Sequence, residues 1–332
     1  MTLLRRDVLA SASGLAIAAI GRHSLAQSLW MAASAYPEGN YHTKNLHEFI
    51  QQVRAATGGR LQIQLHSNAS LLSMPNMKRG VQTGQVQLGE ILLSAYGNEN
   101  PFFEVDSVPM LVTTVEDARR LAELQRPYLE ALLRQQGLTL LYWAAWPPAG
   151  LCTNAAVDSL EQLRRTKMRT WNALSTRFAA LIGAVPTLVH QAEVPQAFAA
   201  GIVNVMITSA RTGVDVQAWD FCRFYTPIGF VRSKNAVIVR TRLFEALPDD
   251  VQAAFRAAGH AAEERAWAAS VEETEASQAT LVTRGMALRE ATPALMEGLR
   301  RVGAIQAEEW VAKAGEDGRR LMDAYNEASK QP

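Results

Sequence analysis

Cysteine is nearly missing from this chain: Cys152 and Cys222 are the only two in 332 residues. No Cys-x-x-Cys pair exists, which excludes a zinc ribbon and a dithiol redox motif. Two distant cysteines in an oxidising compartment can pair, but their separation carries no geometry, and the reading adopted is two buried thiols. Charge of one sign is also missing. Lys plus Arg number 33 against 32 Asp plus Glu, a formal net charge of +1. The Arg164, Arg165 and Lys167 cluster sits on a turn before a strand, so a nucleic-acid partner is excluded. The six histidines, at 23, 42, 47, 66, 190 and 260, are scattered. His42 and His47 are five apart, not the four of a helical zinc pair, so no metal is expected. No Gly-x-Ser-x-Gly elbow, phosphate loop or dinucleotide glycine pattern appears. The expectation is a protein that is not an enzyme and carries no cofactor.

Long apolar runs are absent beyond the head of the chain. Residues 1–26 combine Arg5-Arg6, an apolar run from Leu9 to Ile20, and Ser24-Leu25-Ala26. That run falls short of the roughly 20 residues a spanning helix needs. It reads as a removed export signal of twin-arginine type rather than an anchor, which places the mature protein in the periplasm.

What is present is a strand–helix alternation. Strands are expected at Ser28–Ala35, Leu61–His66, Val86–Leu93 and Leu138–Ala145. Helices are expected at 42–57, Met74–Thr83 and Val115–Gln136, the first with an apolar stripe of Leu46, Phe49, Ile50 and Val53. Gly58-Gly59 and Gly84 supply the stops. Such alternation implies mostly parallel sheets with right-handed crossovers. Later, residues 249–284 form an Ala- and Glu-rich stretch interrupted only by Gly259. It is far longer than the mean helix of about 11–12 residues and suits a brace between two domains. Two more helices are expected, at 291–300 and 305–329. The division read from the chain is 27–146 plus 234–273 for one domain and 147–233 plus 274–332 for the other. The fold class is therefore α/β with two domains, each a mostly parallel sheet flanked by helices.

The stretch Lys167-Met168-Arg169-Thr170-Trp171-Asn172 carries the chemistry. Arg169 ends a short strand where the chain turns into a helix. Amides of a helix start joined to a guanidinium make a seat for a carboxylate. Trp171 is placed to cover a ligand held there, with Trp143, Trp146 and Phe230 as further aromatic wall. Tyr36 and Asn40 come from the first strand-to-helix loop, Asn68 follows the second strand and Leu93 ends the third, positions that face the crevice in open α/β sheets. Asn172 serves either as helix cap or as ligand contact.

These motifs resemble the extracytoplasmic solute-binding proteins of TRAP transporters, the family first associated with C4-dicarboxylates. Tyr36-Pro37-Glu38-Gly39-Asn40, Thr57-Gly58-Gly59-Arg60 and Val81-Gln82-Thr83-Gly84-Gln85-Val86 carry the resemblance. So do Lys167-Met168-Arg169, Pro186-Thr187, Glu193-Val194 and Gly201-Ile202-Val203-Asn204. It covers essentially the whole mature chain. The resemblance implies a two-domain periplasmic binding protein that closes around its ligand, with Arg169 on the carboxylate. It also implies a monomer that works with TRAP membrane permease subunits. A ligand-sensing subunit of a signalling receptor shares the same fold.

The departures from the family bear on the ligand. Acid-sugar binders of the family have a second arginine where Ala149 stands. Ordinary members read Asp-Gly-Gln-Glu-Asn where this chain has Asn204-Val205-Met206-Ile207-Thr208, so Thr208, with Ser209 beside it, replaces an amide. A dicarboxylate would leave groups unpaired there, at about 1–3 kcal/mol each. The favoured ligand is an aromatic 2-oxo or 2-hydroxy monocarboxylate. A small aliphatic keto or hydroxy acid, or a C4-dicarboxylate, is the alternative.

Overall fold

The computed structural model describes residues 28–329, and the expected export signal at 1–26 lies outside the described residues. The chain opens with β1 (Ser28–Ala33), α1 (Tyr41–Ala56), β2 (Leu61–His66), α2 (Met74–Thr83), β3 (Leu88–Leu92), α3 (Val115–Gln135) and β4 (Leu138–Ala145). It then crosses to β5 (Ala149–Thr153), β6 (Lys167–Thr170), α4 (Ala173–Leu181), β7 (Val185–Leu188), α5 (Val194–Ala199), β8 (Val205–Ser209), α6 (Ala210–Asp215) and β9 (Phe224–Pro227). It returns through β10 (Lys234–Arg240), α7 (Thr241–Glu245) and α8 (Asp249–Thr283), and finishes with β11 (Ala287–Leu288) and α9 (Pro293–Ala328).

Two sheets result, one per lobe. The first has the order β2-β1-β3-β10-β4 and the second β11-β9-β5-β8-β6-β7. Both are mixed, with two of four pairs parallel in the first sheet and three of five in the second. β1 pairs in parallel with β2 and β3, whereas β10 runs antiparallel to β3 and β4. In the second lobe β8, β6 and β7 are parallel, and β5 is antiparallel to β8 and β9. The reason is topological. β5 and β10 begin just after the chain has crossed from the other lobe, so each enters its sheet from the crossing edge and runs against its neighbours.

Local chemistry explains the first-lobe boundaries. Asn40 caps α1 by accepting from the His42 N–H at 2.8 Å, and Leu46, Phe49, Ile50 and Val53 are buried on one face. Gly84, at φ 82°, terminates α2 in the left-handed conformation that glycine adopts without cost. The segment 183–189 contains edge strand β7. Its Val185 and Leu188 are exposed, so no buried apolar pattern announced it.

At 35 residues, α8 is roughly 50 Å long at about 1.5 Å per residue. It packs on α1 and β4 of the first lobe and on α6 and β11 of the second. The mid-helix Gly259 permits the close contact with β4: a Cβ there would sit 2.6 Å from the Leu141 carbonyl oxygen. Two C-terminal helices are present within α9, but they meet at a kink at Gly315 (φ 69°, ψ −148°) rather than at 301–304. The division that gave 274–332 to the second domain also needs correction. Leu295, Leu299 and Val302 pack in the second lobe, whereas Trp310, Leu321, Met322 and Tyr325 complete the first lobe's core. Cys152 and Cys222 are both free and buried in one cluster of the second lobe.

Candidate functional site

The C-terminal ends of β1, β3, β6 and β8 converge on a cavity between the lobes, as open α/β sheets place their ligand sites. Its volume is about 160 Å³. The first lobe contributes Ala35, Tyr36, Ser73, Met74 and Leu92. The crossing segments contribute Trp146, Pro147, Val231 and Ser233, and the second lobe Ala149, Arg169, Trp171, residues 190–193, Thr208, Ser209 and Thr212.

Arg169 is the centre of charge. β6 holds it in register with Thr187 of β7 and Met206 of β8. Its side chain is directed by one bond, Nε–H to the Val189 carbonyl at 2.9 Å. The residue is 5% exposed, and no Asp or Glu pairs with it among the described residues. Burial without a counter-charge pushes its pKa down to about 10. The Trp171 ring lies 5.6 Å from the guanidinium carbon, within cation–π range. His190 stands nearby, and burial together with the Arg169 charge holds its pKa below the usual value.

The expected helix-start amides are otherwise engaged. Asn172 Oδ1 accepts from the Ser175 N–H at 2.8 Å, while Ser175 Oγ accepts from the N–H groups of Trp171 and Asn172 at 3.0 and 3.1 Å. This capping box takes up three amides at the start of α4 and leaves the guanidinium as the charged anchor for an anion.

The opposite wall is aromatic, with its polar atoms already satisfied. Trp146 Nε1–H and the Tyr36 hydroxyl both donate to Asn235 Oδ1, at 2.9 and 3.1 Å. Asn235 in turn donates to Glu90 Oε1 at 3.0 Å, and Ser34 Oγ donates to Glu90 Oε2 at 2.6 Å. Two rings whose polar tips point away from the cavity present it with carbon. Glu90 is fully buried beneath them, and desolvation pushes its pKa up to about 7.

Tyr36, Trp146, Arg169, Trp171, Thr208 and Ser209 thus meet at one cavity. The other sequence-derived candidates do not line it. Asn172 caps α4, and Asn40 caps α1. Asn68 is a turn residue at φ 54° whose N–H donates to the Tyr36 carbonyl. Leu93 and Trp143 are each 1% exposed in the first-lobe core, Trp143 lying beneath Arg126 and Lys234. Phe230 packs edge-on against Phe178 in the second-lobe core. Met74, Ser73, Gln191, Thr212 and Ser233 line the cavity without having been singled out. None stands in a motif, and the only signal was their position after or before a strand. Among the described residues no group of three or more His, Cys, Asp or Glu is placed to hold a metal, and no helix is long and apolar enough to cross a membrane.

Solved structures of the same fold exist. A Bordetella pertussis extracytoplasmic solute receptor binding pyroglutamic acid, DctP7, is 42% identical with a TM-score of 0.89, over 90% of this chain and 99% of that one. A second pyroglutamic-acid receptor from that organism, DctP6, is 38% identical, with a TM-score of 0.89 over 90% and 100% of the two chains. A TRAP solute-binding protein from a marine metagenome, specific for pyroglutamate, is 32% identical, with a TM-score of 0.88 over 91% and 99%. The profile of bacterial extracellular solute-binding proteins, family 7, matches residues 31–313. The chain therefore belongs to this family, the extracytoplasmic solute-binding proteins of TRAP transporters.

Proposed function

We propose that this protein is the periplasmic receptor of a TRAP transporter and that its cleft closes on a compact cyclic monocarboxylate of the pyroglutamate kind. The observation that carries the reading is Arg169, a buried guanidinium without a carboxylate partner among the described residues, facing a wall of carbon. A ligand carboxylate supplies the missing charge, and closure strengthens the pair by removing water.

The cavity, about 160 Å³ and open between the lobes, accepts one small ring and its carboxylate. Thr208 offers a hydroxyl for one further polar group, such as a lactam, whereas the Ser209 hydroxyl caps α6 by accepting from the Thr212 N–H at 3.1 Å. The three receptors at 32–42% identity, two binding pyroglutamic acid and one specific for pyroglutamate, support the same choice. The Trp146 and Trp171 walls favour a second reading, an aromatic 2-oxo or 2-hydroxy monocarboxylate. Export through the twin-arginine head, action as a monomer and delivery to membrane permease subunits belong to the same proposal. So does the division of the lobes near residues 146 and 233.

Calorimetry of the mature protein against L-pyroglutamate, phenylpyruvate and succinate tests it. At a hundred times its dissociation constant a true ligand adds about 2.7 kcal/mol of stability, so a thermal-shift screen is a rapid companion. Pyroglutamate is expected to bind and succinate to fail. Tighter binding of phenylpyruvate would move the assignment to aromatic acids. Binding of none would remove Arg169 as a carboxylate seat.

A further inference from the structure

Behind the cavity, one buried carboxylate joins three parts of the molecule. Asp215, at the end of α6, has a side chain 2% exposed. Its Oδ1 accepts from Arg211 Nε at 3.0 Å, and Arg211 also reaches Glu273 of α8 at 3.4 Å. That contact answers the charge. Its Oδ2 accepts two neutral amides instead: Asn40 Nδ2 of the first lobe at 2.6 Å and Gln191 Nε2 of the second at 3.1 Å. Gln191 lines the cavity, whereas Asn40 and Asp215 do not. Two residues before Gln191, the Val189 carbonyl holds Arg169. A continuous line of hydrogen bonds and two residues of backbone therefore runs from Arg169 through the 189–193 loop to Asp215, and across the lobe boundary to Asn40.

We propose that Asp215 is a positioning residue of the receptor. Through one oxygen it ties the ligand-facing 189–193 loop to the first lobe, and so governs how long a ligand is retained without touching it. The proposal rests on the reading of the Arg169 cavity as the ligand site. A buried carboxylate oxygen that loses its donors bears a desolvation cost, and Oδ2 has both donors when Asn40 and Gln191 are at hand. Separation of the lobes removes the Asn40 donor, so closure and the posture of the loop are coupled. The cap and the tie use different atoms of Asn40. Its Oδ1 accepts from the His42 N–H, while only Nδ2 reaches Asp215. Asn40→Ser therefore preserves a good N-cap and removes the tie.

The test compares wild type, Asn40→Ser and Asp215→Asn. Stopped-flow fluorescence, using Trp146 and Trp171 as reporters, follows L-pyroglutamate, and hydrogen exchange follows the ligand-free proteins. In Asn40→Ser, dissociation should be roughly tenfold faster, the effect of one hydrogen bond to a charged group. Association should stay within about twofold. The melting temperature of ligand-free Asn40→Ser should stay within about 2 °C of wild type, and amides of residues 189–193 should lose protection. Unchanged dissociation together with unchanged exchange in Asn40→Ser overturns the proposal, even where Asp215→Asn folds poorly. If wild type binds no pyroglutamate, the ligand assignment falls, and the exchange result alone decides for or against the tie.

Discussion

Arg169 donates its Nε–H to the carbonyl of Val189 at 2.9 Å, so a strand residue and the loop beyond the neighbouring edge strand are fixed to one another. The bond aims the rest of the guanidinium at the cavity and leaves it short of a counter-charge. The guanidinium is preorganised for an anion before any arrives, so little ordering of that side chain is left for binding.

Arg169→Ala should weaken ligand binding by at least ~2 kcal/mol, the range for breaking a buried charge pair. Arg169→Lys should also bind poorly, because a point charge replaces a planar fork. Calorimetry with L-pyroglutamate checks both. Near-native affinity in either variant would place the carboxylate elsewhere.

Glu90 gives the fold a pH dependence with a definite sign. Burial raises its pKa in the folded state from the usual 4.5 to about 7. The folded state thus holds a proton that the unfolded state has released between those values. The stabilisation is complete below about pH 4.5 and is lost as pH rises through about 7, on the order of 3 kcal/mol in full. His42, whose Nδ1 lies 3.6 Å from Glu90, is held neutral by its own burial and by the Arg211 charge, and supplies no compensating cation. Glu90→Gln should therefore flatten urea-unfolding stability between pH 5 and 8 and be the more stable protein at pH 8. An unchanged slope would show that Glu90 is charged in the native state throughout.

Gly259→Ala tests the contact between α8 and β4. Helix propensity alone gains up to ~1 kcal/mol from the change. The added Cβ would sit 2.6 Å from the Leu141 carbonyl oxygen, a backbone atom that cannot swing aside. Overpacking of this kind costs about 1–3 kcal/mol. Net destabilisation by roughly 1 kcal/mol, seen as a lower melting temperature, is the expected result. A stabilised variant would mean that α8 rides further from the sheet.

Much of this architecture is legible in the residues. β2, α2 and β4 have the expected bounds, because glycine punctuates one end of each, Gly59 before β2, Gly84 after α2 and Gly137 before β4. The strand end at Arg169 is equally plain. The 189–193 wall is not, since a loop has no period and its position is set by hydrogen bonds to β6 and α6. Asn40 shows the limit well. A helix cap and a lobe-to-lobe contact look identical in sequence, and only the distant Asp215 distinguishes them. Glu90 gave no signal either, for its partners Ser34 and Asn235 lie 56 and 145 residues away.

The packing of Trp310, Leu321 and Tyr325 against the first lobe has a consequence for biosynthesis. That lobe takes its first strand from residue 28 onward, its fourth in sheet order from residues 234–240, and part of its core from the end of α9. The second lobe's β5–β9 form one uninterrupted run of chain between those parts. As the polypeptide emerges, the second lobe can assemble much of its sheet while the first still waits for β10, the strand that joins β3 to β4. Contacts such as Tyr325 to the Leu111 carbonyl, 214 residues apart, close late and slowly, since their loop entropy must be met before they return anything. The half of the receptor begun first is the half completed last, and its apolar faces remain open longest to chaperones.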